Sequence, residues 1–566
     1  MKHLDLVSVI YSLKKLVLLL FLIWAEFGLS QSFTRADSLR GGITPERIWW
    51  DLEHYDLSVK LDVDGRQISG TNRISYVVNQ VTPEPGRVSA KTKKVMQIDL
   101  QWPMRLDSVT QNGVLLKVIR EGSAHFVTTE MPQISGQANS VMCYFSGRPI
   151  EAQNPPWDGG FTWNQDELGR PFIANANQGI GASVWWPNKD HPYDEPDRGV
   201  DLKIQLAKPL VAVGNGRLLE VSDAGDDDQI FHWQVTSPIN NYGVNINVGH
   251  YVRFEEVYRG LSGALDCTYW VLDYNLEQAK TQFKQVPMML EAFEHWFGPY
   301  PFYDDGYQLV EVPYLGMEHQ SSVTYGNGYR NGYRGTDLSD SGWGMKFDFI
   351  IIHESGHEWF ANNITNSDVA DMWIHEGFTA YSENLFLDYH YGREASNQYV
   401  VGTKKRIQND RPLIGYYGVN HEGSGDMYYK GANILHTLRQ CVNDDALWRE
   451  VLTGLNQQFR HQTISSKQLE DYIASALNLN LTKFWEQYLR TPDIPVFEYH
   501  IQDKTLKYRY NKTIAEFNLP VLVHVNGASH WLRPTESWKV LSHPSKIKDF
   551  EVDKNFLLKA RVIDRP

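Results

Sequence analysis

The chain has 566 residues, 42% of them hydrophobic and 22% charged, and a formal net charge of −14. This composition excludes a disordered or fibrous protein, and the acidic balance, with no basic cluster to offset it, excludes nucleic acid as a partner. The length is too great for one ordinary core and implies roughly three or four domains.

Residues 1–30 read as a signal peptide. Lys14 and Lys15 precede the apolar run Leu16 to Ala25, Glu26 interrupts it, and Gly28-Leu29-Ser30 offers small residues to a signal peptidase. The expected product is exported, periplasmic or extracellular, and free of any membrane span after cleavage. The uninterrupted apolar run is shorter than the roughly 20 residues a span needs, which argues against a retained anchor. Cys143, Cys267 and Cys441 are odd in number and far apart, so no disulfide framework is expected.

From 45 to 258 the pattern is that of an all-β domain. Tyr55 to Leu61 and Val200 to Leu206 alternate apolar with polar residues, the period of half-buried strands. Gln178 to Pro187 breaks the alternation with glycine and tryptophan, as a loop set against another domain would. The period changes near Leu276, and Leu276 to Phe297 predicts one amphipathic helix stopped by Gly298-Pro299. Tyr307 to Val312 predicts a short strand that runs into Leu315-Gly316-Met317-Glu318-His319.

The apolar run Phe347 to Ile352 leads into His353-Glu354-Ser355-Gly356-His357. Two histidines four apart share one helix face and present two imidazoles to one metal ion. A zinc site that does chemistry needs three protein ligands and an open position for water. Glu376, 19 positions past His357, supplies the third from a second helix, with Asp371 as its N-cap. Glu354 projects beside the metal, as a general base for the attacking water does. The alternative is a core helix with two hydrogen-bonded histidines. Burying two histidines and a glutamate together is costly unless something pairs them, and a metal does so. Glu383, seven residues beyond Glu376, is placed to orient a ligand histidine. Asn363-Ile364-Thr365 forms a glycosylation sequon just past the zinc helix, an awkward place for a glycan.

A polar loop spans Asn409 to Gly425, and Met427 to Ala432 opens another helix. Helices are expected from Ala446 to Phe459 and from Ser466 to Leu477, the latter after a capping box of Ser465 with Gln468. Phe484 to Leu489 is a last amphipathic piece. The tail 493–566 returns to strand alternation and reads as a small β-sandwich. No tandem repeat or low-complexity segment occurs.

The stretch HESGHEWF from His353 to Phe360, with Trp373-Ile374-His375-Glu376-Gly377-Phe378, Tyr381 and Glu383, resembles the gluzincin aminopeptidases, the family of aminopeptidase N and the leukotriene hydrolase. Their signature is HExxH, eighteen residues, then Glu, and the spacing here matches. The resemblance implies a multidomain α+β fold: an N-terminal all-β domain, a thermolysin-like, mostly helical catalytic domain at 259–492, and the C-terminal β-sandwich. It implies one Zn²⁺ per chain and peptide substrates with a free N-terminus. Leu315 to His319 resembles the exopeptidase motif GxMEN, with Gly316, Met317 and Glu318 at substrate-binding positions. Leu315 and His319 depart from the motif. Gln178, nine residues ahead of Pro187, matches a glutamine that contacts the substrate's amino terminus. Tyr428 takes the place of the tyrosine that faces the oxyanion in Tyr-Glu-Lys-Gly, and Tyr429 departs by replacing the glutamate. Many relatives add a long helical C-terminal domain. None is expected here up to Pro566, which implies a secreted form with a more open site, or one closed by a partner chain such as a homodimer mate.

The expected function is a zinc aminopeptidase that removes one residue at a time from the amino end of peptides. A gluzincin endopeptidase would share the zinc residues and have no use for Glu318. A catalytically silent peptide-binding module would be expected to have lost some of His353, Glu354, His357, Glu376 and Tyr428, which are all present.

Overall fold

The computed structural model describes residues 32–79 and 93–564. The expected signal peptide therefore lies outside the described residues. Within them, no helix is long and apolar enough to cross a membrane.

The N-terminal part is built from β-sheets. Its largest sheet has eight strands, with Trp50–Asp62 and Val200–Ala207 paired in parallel at its centre. Burial alternates along Val200–Ala207, so one face enters a core of large side chains that includes Trp50, Trp185, Trp186 and Trp233. A four-stranded sheet contains Pro171–Ala176 and Asn247–Gly249. It carries the loop that starts at Asn177 toward the helical part.

A five-stranded sheet follows, in the order Tyr251–Gly260, Gly263–Leu272, Tyr307–Glu311, Val323–Tyr325, Gly316–Met317. The boundary expected at 258/259 falls inside its first strand. Strand period reports burial on one face and carries no information about which sheet a strand joins, so the alternation continued across the change of sheet. Gly316–Met317 is the edge strand and pairs antiparallel, Met317 opposite Thr324.

The single helix expected over Leu276 to Phe297 is two, Leu276–Gln282 and Gln285–Phe297. Pro287 is the cause: it has no N–H for the Phe283 carbonyl, and its ring crowds that carbonyl, so the chain breaks at Phe283-Lys284. Further on, Asp445–Gln458, Ser466–Leu477 and Thr482–Arg490 form as helices. The reciprocal capping box of Ser465 and Gln468 is present. The C-terminal strands make a four-stranded and a three-stranded sheet, and the ring of Phe550 in the second packs at a tilt against that of Tyr499 in the first, centroids 4.5 Å apart. The fold is thus α+β, with β-sheets on either side of a mostly helical centre.

Two helices in that centre carry the zinc motif, Phe349–Gly356 and Trp373–Tyr391. Asp348 caps the first by accepting from the Ile350 N–H. Phe349, Ile350, Ile351 and Ile352 are all buried, each worth roughly 1.5–3 kcal/mol relative to exposure, which offsets part of the cost of burying the ionisable residues that follow. Asp371 does not cap the second helix. Its carboxylate accepts from Tyr417 and from the Ser466 N–H, and the preceding turn Val369–Asp371 is capped by Asp368. A β-carboxylate has several local donors to choose from, and here tertiary partners won.

The second zinc helix crosses the helix Tyr429–Val442 at Gly377 and Gly431, so closely that a Cβ on Gly431 would lie 2.7 Å from the Gly377 Cα. We expect Gly431→Val to lose about 1–3 kcal/mol of stability through overpacking, read as a lower denaturant midpoint. An unchanged midpoint would show that the crossing is looser than described.

Candidate metal centre and substrate cavity

His353 lies within the first zinc helix and His357 at its C-cap. The donor atoms of His353, His357 and Glu376 all lie within 4.8 Å of one another. Glu376 Oε2 is 3.7 Å from His353 Nε2 and 3.4 Å from His357 Nε2. All three side chains are buried.

The opposite side of each donor is already engaged. His353 Nδ1 meets Glu383 Oε1 at 2.8 Å, and Tyr399 donates to the other Glu383 oxygen at 2.5 Å. His357 Nδ1 lies 3.0 Å from the Phe360 carbonyl and 3.0 Å from Thr379 Oγ1. With Nδ1 committed, each ring turns Nε2 toward Glu376. Gln178 Nε2 donates to Glu376 Oε1 at 2.9 Å. Glu376 Oε2 is buried and has no hydrogen-bond partner. An orphaned carboxylate oxygen facing two imidazole nitrogens fits a cation in their midst, and two histidines with one glutamate match the donor chemistry of a catalytic zinc site. Burial opposes the charge on Glu376, yet His357 and His353 hold its pKa well below the usual carboxylate range, the ionised state a ligand requires.

A sharp irregularity follows the first helix. Glu358–Asn362 forms a π-turn in which Phe360 and Ala361 leave helical geometry, Ala361 at φ 154°. This turn aims the Phe360 carbonyl back at His357. It also places Asn362, whose Nδ2 donates to the Glu318 carbonyl at 2.9 Å. Asn363 is buried, and its amide donates to Asn456 Oδ1 at 3.0 Å, which closes the sequon to a glycan in the folded chain.

The donors open onto a cavity of about 500 Å³ whose wall combines the edge strand, the two zinc helices and the β domain. Gly316 crosses over the first helix. A Cβ there would lie 2.7 Å from Ile350 Cγ2 and 3.2 Å from Glu354 Cγ, so glycine permits the approach. Met317 packs with Ala174, Ala176 and Tyr314 where the β domain meets the edge strand. Glu318 is 2% exposed and accepts from Tyr242 at 3.1 Å. Burial raises its pKa. Burial likewise pushes Glu354 up to about 7, against the pull of His353. A second group of donor atoms, from Glu318, Glu354 and His357, also lies within 4.8 Å.

Tyr428 stacks on His353 with ring centroids 5.9 Å apart, and burial keeps its phenol well above the usual pKa. The neighbouring Tyr429 also lines the cavity but packs beneath Arg406. Leu315 forms part of the wall. His319 turns to the β domain, where Asn245 Nδ2 meets its Nδ1 at 3.0 Å. Gln178 and Glu318 thus stand at the metal centre with Gly316 and Met317 beside them. Sequence reasoning missed Tyr242, Tyr399, Thr379 and Asn362. Tyr242 and Tyr399 come from other segments, while Asn362 and Thr379 lie close to the metal donors in sequence but act on partners that only the fold brings to them. We expect Glu383→Gln to weaken zinc affinity about 10–100-fold, measured by competition with a chromogenic chelator. Equal affinity would deny Glu383 its orienting part.

A family model described as Peptidase family M1 domain matches residues 281–488. Leukotriene A-4 hydrolase of Xenopus laevis is 23% identical over 441 residues, 69% of this chain and 66% of that protein. Aminopeptidase N of Lactobacillus helveticus is 22% identical over 469 residues, 78% of this chain and 51% of that one. The chain spans less than two thirds of the length of these curated relatives. The crystal structure of an M1 zinc metallopeptidase variant from Deinococcus radiodurans, bound to a Tyr-Ser-Ala substrate, superposes with a TM-score of 0.65 at 18% identity, covering 81% of this chain and 98% of that one. Residues 281–488 thus match the M1 peptidase domain, and the zinc motif and the α+β architecture are similar to those of the M1 zinc metallopeptidases.

Proposed function

We propose that the chain is a zinc-dependent aminopeptidase that hydrolyses the first peptide bond of substrates with a free N-terminus. The observation that carries this reading is the position of Glu318. Its carboxylate is buried and lies within 4.8 Å of the donor atoms of Glu354 and His357. A partly desolvated carboxylate binds an ammonium group by charge-assisted hydrogen bonds. Set this near the reacting centre, it leaves room for one residue before the scissile bond.

His353, His357 and Glu376 would hold the zinc, which would supply Lewis acidity at this site. Glu354 is the base. Its raised pKa, about 7, suits a carboxylate that takes the proton of the attacking water and passes it to the leaving amine. Tyr428 donates a hydrogen bond to the oxyanion as it develops, and its elevated pKa keeps it a neutral donor beforehand. Tyr242 holds the Glu318 carboxylate at 3.1 Å. Gln178 commits its amide nitrogen to Glu376 and keeps its carbonyl oxygen for the substrate ammonium. Glu383 and the Phe360 carbonyl fix the two imidazoles.

Hydrolysis of aminoacyl reporter amides is expected to disappear with a chelator and to return with zinc. Glu354→Gln is expected to keep its zinc and to lose about 10²–10⁴-fold in turnover. Wild-type turnover in that variant removes Glu354 as the base. Glu318→Ala is expected to lose most activity on free-amine peptides. Robust cleavage of acetylated peptides by the wild-type chain would instead favour the endopeptidase reading.

A further inference from the structure

Acidic side chains dominate the charged lining of the cavity. Glu318, Glu354, Glu376 and Glu422 contribute to its wall, and among the described residues that line it Arg406 is the one lysine or arginine. Arg406 ends the short turn Lys404–Arg406 that follows the helix Arg393–Thr403. Its Nε donates to the Leu338 carbonyl at 2.8 Å, and its guanidinium carbon lies 6.0 Å from the centre of the Tyr429 ring. These contacts orient the guanidinium. The nearby Asp340 is taken by Lys405 instead. The two η nitrogens of Arg406 therefore make no ion pair or hydrogen bond among the described residues.

The local sequence explains the placement. Tyr428 and Tyr429 open one helix, Tyr428 against His353 and Tyr429 against Arg406. The cation thus lies against the residue that follows Tyr428 in the chain, with its Nε on the Leu338 carbonyl. Arg406 is an exposed residue of the cavity wall, tethered by one backbone bond beside an aromatic ring, and a guanidinium fork with free donors matches a carboxylate in geometry and charge. Glu318, Glu354 and Glu376 are gathered at the metal centre, and none of the wall's carboxylates pairs with Arg406 among the described residues.

We propose that Arg406 binds a carboxylate of the substrate and so makes the enzyme selective for peptides that carry one within reach of the cavity. This rests on the aminopeptidase reading, which fixes the ammonium at Glu318. The carboxylate comes from the chain end of a short peptide or from an acidic first side chain. A chain-end carboxylate would be held beyond the reacting bond from the ammonium, and an acidic first side chain on the same side as the ammonium; either way the peptide is gripped by opposite charges.

Calorimetry on the full zinc-loaded chain carrying Glu354→Gln, which suppresses turnover, tests this directly. The ligands are Leu-Gly-Gly, its C-terminal amide, and the amides of Glu-Gly-Gly and Gln-Gly-Gly. About tenfold tighter binding of Leu-Gly-Gly than of its amide assigns the chain end. A tenfold preference for the Glu over the Gln tripeptide amide assigns the first side chain. In either case Arg406→Gln brings that ratio close to one, and Arg406→Lys, a point charge without the fork, keeps part of it. An unshifted thermal midpoint confirms that the Gln variant is folded. Both ratios near one in the parent protein, or a ratio that survives Arg406→Gln, overturns the proposal, as does failure of every tripeptide to bind. Acetyl-Leu-Gly-Gly separates the two readings. If it binds as tightly as the free amine, the ammonium anchor fails while the carboxylate ratios still decide the case of Arg406.

Discussion

The constraint on which the structure depends is electrostatic. Glu318, Glu354, Glu376 and Glu383 are buried around two imidazoles, and charges taken out of water persist only where partners satisfy them. Most of the local architecture supplies those partners. Tyr399 and His353 satisfy Glu383, Tyr242 serves Glu318, and Gln178 takes one oxygen of Glu376. What is left over, Glu376 Oε2 between two imidazole nitrogens, is a buried acceptor without a hydrogen-bond partner, the donor arrangement that suits a divalent cation.

The backbone is arranged to make that set possible. The π-turn after His357 interrupts a regular helix so that one carbonyl can hold a ring and one asparagine can reach the edge strand. Gly316 lets the edge strand pass over the helix that carries Glu354. The close crossing of Gly377 and Gly431 brings Tyr428 to the side of His353. Strained or crowded backbone is concentrated where the side chains must converge.

The sequence revealed those parts of the fold that repeat locally or sit at fixed spacing. The strands from Trp50 and Val200 were readable because their period is two. The donors His353, His357 and Glu376 were readable because helix geometry and motif spacing bring them together. The Ser465 capping box was readable because both partners lie within one turn. The break at Pro287 was also written in the chain, but amphipathic periodicity on either side obscured it. Asp371 misled because an aspartate before a helix has more than one possible employer. Tyr242, Thr379, Tyr399 and Arg406 were invisible for a different reason. Each acts on a partner that only the folded chain identifies.

Gln178 and Tyr242 come from the β-rich N-terminal part, whereas His353, His357 and Glu376 come from the two zinc helices. The metal donors and Glu318 therefore lie on one part of the chain, while two of the side chains that hold Glu318 and Glu376 reach in across a domain contact. A catalytic fragment cut free of its neighbour would keep its donor residues and Glu318 and forfeit the Tyr242 and Gln178 bonds that steady Glu318 and Glu376. Evolution could likewise retune what the enzyme accepts by editing one segment, without touching the residues that break the bond.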